Sequence, residues 1–140
     1  MPPLSVWALR LACLHLVLGL TLGSVLLANK GVVFLPAAAA WRPAHEQTLL
    51  FGWTVQLVFA VGYWVLPKFA GGRSRGNDAL AMLAVGLVNL GVLCGVILPL
   101  AGLSQTPAYA LEAGAAAAFA LHAWPRVKPA RSQRRDAQRQ

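Results

Sequence analysis

An all-α fold is predicted, a bundle of four membrane-spanning helices with both termini on the cytoplasmic side. Three features predict it. The 140 residues are 58% hydrophobic and only 11% charged, against roughly 25% charged in a soluble domain. The apolar residues gather into four runs, each near the ~20 residues needed to cross a hydrocarbon core. The basic residues sit in the connections and the tail, as they do beside the cytoplasmic ends of membrane helices. The length allows one domain of a few helices, residues 1–125, followed by a basic tail, residues 126–140.

The first run extends from about Leu4 to Ala28. Arg10 followed by an apolar run resembles a signal peptide. The run exceeds the roughly 7–15 residues of a signal core, however, and Leu26 spoils a small-x-small cleavage pattern, so an uncleaved first helix is expected. Asn29-Lys30-Gly31 ends it. The second run extends from about Ala44 to Pro67, and the third from about Asp78 to Leu100 after a loop, Gly71 to Asn77. Gln105-Thr106-Pro107 turns into the fourth, about Ala108 to Trp124, with a proline suited to a helix start. Ala115 to Ala118 make that helix thin, better packed against protein than bathed in lipid. The tail after Pro125 is basic and polar, and is expected to be disordered.

Orientation follows from the basic residues. Lys68, Arg73, Arg75, Arg126, Lys128, Arg131, Arg134, Arg135 and Arg139 fall on one side, and only Lys30 and Arg42 on the other. The first side is the cytoplasmic one. The net charge of +8 reflects these flanks, and no nucleic-acid partner is expected; the lipid bilayer is. Cys13 and Cys94 lie inside apolar runs without metal or disulfide spacing, and read as small buried hydrophobes. Gly19-x-x-x-Gly23 and Gly91-x-x-x-Gly95 offer close helix approach.

Polar residues within a membrane are costly and need a reason. Here they are His15, His45, Glu46, Gln56, Asn89, Glu112 and His122. His45 begins the second run, near the outer surface. Helical spacing puts Thr48, Gly52, Gln56, Phe59 and Tyr63 on its face. Gly52 would leave a gap for a flat macrocycle, and Phe59 would pack on its edge; equally, His45 can be an interfacial histidine that caps the helix. His15 reads as hydrogen-bonded to a neighbouring helix or as a ligand, and His122 as an interfacial anchor. Gln56 and Asn89 can bond each other across helices two and three. Glu112 can pair with Arg42, bond a cofactor or loop amide, or serve the helix dipole. The depths of the three histidines differ too much for two of them to flank one iron within ~2 Å. A six-coordinate haem at His45 would need a ligand from a two-fold partner or another protein.

The motif Arg42-Pro43-x-His45, with Phe51-Gly52 and Gly62-Tyr63-Trp64-Val65, resembles helix two of the catalytic subunit of haem–copper oxidases, closest to the cbb-type branch. Ile97-Leu98-Pro99-Leu100-Ala101-Gly102, Ser104-Gln105 and Tyr109-Ala110-Leu111-Glu112 are similar to the end of helix three and the start of helix four. The likeness covers residues 41 to 115. It implies a bacterial cytoplasmic membrane protein in which His45 is an axial ligand of haem b, the one metal ligand carried over. Arg42, Gly52 and Phe59 complete the candidate cofactor-binding set. The family's other haem and copper ligands lie on later helices that this sequence does not contain, so no complete oxidase is expected and no catalytic residue is assigned. The resemblance implies electron transfer, haem handling or gas sensing, in a homodimer or a larger respiratory complex. The alternative is an accessory subunit of a respiratory complex without its own haem.

Overall fold

The computed structural model describes residues 1–68 and 75–127. The tail beyond Val127 and most of the expected Gly71–Asn77 loop lie outside these residues. Among the described residues every regular element is helical. Helix α1 is Pro3–Gly31. A 3₁₀ turn, Pro36–Trp41, leads into α2, Arg42–Gln47, then a π-helical stretch, Thr48–Val55, then α3, Gln56–Val65. These four pieces run on as one helical rod, Pro36–Val65. Helix α4 is Asp78–Leu100, α5 is Thr106–Ala123, and a 3₁₀ turn, Trp124–Arg126, closes the described chain.

Local chemistry sets the boundaries. A proline stands in the first turn of α1, of the rod, of α2 and of α5, where a missing amide hydrogen costs nothing. Asn77 caps α4, its Oδ1 accepting from the amides of Ala79 and Leu80 at 3.0 and 3.4 Å. Helix α4 ends in a glycine reversal. Gly102 takes φ +71°, its amide donates to Pro99 and that of Leu103 donates to Leu98, the paired bonds of a Schellman ending. After α1, the Asn29 side chain accepts from the amides of Phe34 and Leu35 and folds the chain toward the rod.

Three of the helical units, α1, the rod and α4, are long and apolar enough to cross a membrane. Helix α5 is a full 18 residues but is diluted by alanine, Glu112 and His122. It is the most intimately packed against a neighbour, lying along α4, while the rod sits between α1 and α4 and meets α5 mainly through α3. Small residues make this closeness possible: Ala81, Ala84, Ala108, Ala115 and Ala118 are buried. Phe59, Val88 and the Ala84, Ala115 and Ala118 methyls form the central cluster. Phe59 and Phe119 stack with centroids 4.4 Å apart. By contrast α1 presents Trp7, Leu14, Val17, Leu18, Leu20 and Leu27 outward. Such a continuous apolar surface suits lipid or another protein rather than water.

Candidate functional site

His45 lies in the last turn of α2, half-buried between the rod and α1. Its Nδ1 is 2.8 Å from the Gly19 carbonyl oxygen. A carbonyl only accepts, so this bond assigns the hydrogen to Nδ1 and leaves the Nε2 lone pair free. The ring rests on Gly23, where an added Cβ would stand 2.6 Å from His45 Cε1. Gly19 is equally tight, against Leu49 and Thr48. The expected close approach at both glycines is therefore present, and it serves to seat α2 and the π-helical stretch on α1. Beside the ring a cavity of about 590 Å³ is lined by Gly23, Asn29, Lys30, Arg42, His45 and Glu46, with apolar side chains behind them.

The other candidate pocket residues are placed differently from expectation. Gly52 does not leave a gap beneath His45: the His15 ring fills it, and a Cβ on Gly52 would stand 2.6 Å from His15 Cγ. Phe59 is 5% exposed and committed to the central cluster against Phe119. The face running through Thr48, Gly52, Gln56, Phe59 and Tyr63 is thus the buried face of the rod, as its helical spacing implied, but helices occupy it. Arg42 borders the cavity, and its Nε is 2.8 Å from Glu46 Oε1 in an exposed i,i+4 pair worth only a few tenths of a kcal/mol. Glu112 is not its partner. That carboxyl is 5% exposed, packed on Gly91, with neither oxygen hydrogen-bonded.

Two glycine sockets thus hold two imidazoles, Gly23 taking His45 and Gly52 taking His15. Gly23 and His15 are eight residues apart on α1, about 12 Å along the axis, which keeps the rings from sharing one iron. The cross-helix pair of Gln56 and Asn89 is absent. Gln56 Nε2 donates to the Ala8 carbonyl on α1 at 3.1 Å, and Asn89 Nδ2 donates to Val85, one turn back on its own helix, at 2.7 Å. Gln47 is buried on Gly95, its Oε1 unpaired. The two cysteines are free, and Cys13 is exposed rather than buried.

At the opposite end stands a cluster that the sequence did not announce. Arg126, assigned to the tail by charge, is 1% exposed. Its guanidinium donates to the carbonyls of Tyr63, Leu66 and Pro67 and to His122 Nε2. His122 is therefore neutral with its hydrogen on Nδ1, which donates to Asn77 at 3.0 Å. It is a buried strut rather than a surface anchor; Trp124 beside it is exposed. Tyr63 donates to Asp78 Oδ1 at 2.6 Å, and Arg75 donates to the Tyr63 and Trp64 carbonyls. The orphan carbonyls that end α3 are in this way satisfied by two arginines. Burial, and then the nearby Arg75 charge, hold Arg126 below its ordinary pKa, yet a guanidinium keeps its proton. The only signal in the sequence was the i,i+4 spacing of His122 and Arg126, which puts both on one face.

For a haem the fit is one-sided. The His45 cavity offers one imidazole with a free nitrogen, and one guanidinium and one ammonium at its border. The described residues include no group of three or more metal-binding side chains. No family model, characterised protein or solved structure matches this chain.

Proposed function

We propose that this chain is a multi-pass protein of the bacterial cytoplasmic membrane that holds haem b through His45, and acts in electron transfer, haem handling or gas sensing. The bond from His45 Nδ1 to the Gly19 carbonyl carries the reading. Metal-ligating histidines are oriented by such a bond on the far nitrogen, which fixes the tautomer and makes the near nitrogen more basic. Haem, when bound, supplies a one-electron or gas-binding centre. The protein's part is to present Nε2, to supply the cavity wall, and to set Lys30 and Arg42 near the carboxylates that a porphyrin carries. All four helical units cross the bilayer, with His45 near the extracytoplasmic face and the Arg126 cluster at the cytoplasmic one. Any further ligand to the iron would have to come from a second copy, from a larger respiratory complex or from a gas.

Protein purified from haem-sufficient cells is expected to show a Soret band, which His45→Ala abolishes. The rival reading, an accessory subunit without haem, draws on the filled Gly52 socket and on the single imidazole at the His45 cavity. A colourless wild-type protein with intact helices favours it.

A further inference from the structure

A second cavity, about 460 Å³, opens between α1 and α4 with the π-helical stretch behind it. Its walls are Leu18 and Leu22 on α1 and Val92, Leu93 and Val96 on α4. At one end His15 and Asn89 line it from opposite helices, with Thr48 close by. The apolar remainder extends toward the His45 end of both helices, since α1 and α4 run in the same direction.

The polar groups are not used up inside the protein. Thr48 is: its hydroxyl donates to the Ala44 carbonyl. Asn89 spends one of its two Nδ2 hydrogens on Val85, so it can still offer the acceptor Oδ1. His15 Nδ1 is buried without a close hydrogen bond, and the backbone of Gly52 and Leu11 lies within weak hydrogen-bonding reach of the ring. Nε2 is the ring nitrogen left for the cavity, and it can donate or accept according to tautomer. Unpaired polar groups in an apolar surround are costly, and a single hydroxyl group could bond His15 Nε2 and Asn89 at once. Its O–H would donate to Asn89 Oδ1 while its oxygen accepts from His15. The volume lies within the roughly 300–1,000 Å³ of small-molecule sites, and entry would be from lipid.

We infer that this cleft binds a lipid-soluble alcohol, an apolar body with one hydroxyl head held between His15 and Asn89. The inference rests on membrane insertion but not on haem.

The test uses the full chain in phosphatidylcholine nanodiscs, photolabelled with hexadecanol carrying a mid-chain diazirine and, separately, with its methyl ether. Adducts are mapped by mass spectrometry. The alcohol is expected to label Leu18, Leu22 or the Val92–Val96 segment about tenfold more than the ether, the size of one lost buried hydrogen bond. His15→Phe, which keeps a ring in the Gly52 socket, and Asn89→Leu should each bring alcohol labelling down to the ether level. Equal labelling by alcohol and ether overturns the inference and leaves a groove for acyl chains. A preference that survives both substitutions also overturns it. If His15→Phe does not fold, Asn89→Leu decides alone, because Asn89 bonds only its own helix. Haem content is recorded on the same samples, so labelling of colourless protein separates this inference from the haem reading.

Discussion

At the scale of single residues, glycines decide where the rings go. Gly23→Ala would set a methyl 2.6 Å from His45 Cε1. The ring must leave the Gly19 carbonyl, and a loss of about 1–3 kcal/mol is expected from overpacking alone. Gly31→Ala, where nothing stands within 4 Å, should be nearly silent. Detergent-titrated unfolding of the two variants, read by circular dichroism, checks the contrast. Arg126 is the second decisive residue. Arg126→Ala removes donors from three carbonyls and His122 at once. A destabilisation of about 3 kcal/mol or more is expected in the same measurement, and Arg126→Lys should recover only part, because an ammonium lacks the fork. Little of this was legible. The sequence marks His45 as unusual, but which glycine seats which imidazole depends on helix pairing, so Gly52 was given to the wrong histidine. Arg126 looked like one more tail charge, since nothing local distinguishes a buried arginine from a solvated one.

Elements were easier to read. Length and hydropathy alone place α1, α4 and α5 to within a few residues, because an uninterrupted apolar run has few other ways to satisfy its backbone. The second unit was harder. Its 3₁₀ start at Pro36–Trp41 and its π-helical stretch at Thr48–Val55 leave no periodic trace in an alanine- and leucine-rich segment. π-helical turns cluster at functional places, and this one carries Gly52 and abuts His15. The pairing of α4 with α5 depends on small residues, so its faces should respond oppositely to bulk. Ala115→Leu, at a fully buried position, is expected to cost about 1–3 kcal/mol. Ala116→Leu, on the exposed side, should cost almost nothing. Thermal unfolding in a mild detergent distinguishes the two.

For the whole molecule, the apolar surface of α1 and the concentration of basic residues beyond α3 and α5 support the proposed arrangement of four crossings with both termini cytoplasmic. In a background with Cys13 and Cys94 replaced by alanine, a cysteine at Lys30 should react with an impermeant maleimide added to intact cells. One at Val127 should react only after lysis. The reverse pattern contradicts the orientation. Only such an orientation puts the His45 cavity at the extracytoplasmic face and the arginine cluster at the other.

Whether the His45 imidazole takes haem iron is decided by titrating detergent-purified, haem-depleted protein with haem b and following the absorption spectrum. Wild-type protein should develop a saturable Soret band, while His45→Ala, shown to be equally helical, should not. A wild-type spectrum that is only that of haem free in detergent, or an equal band in the variant, would show that His45 is not the ligand.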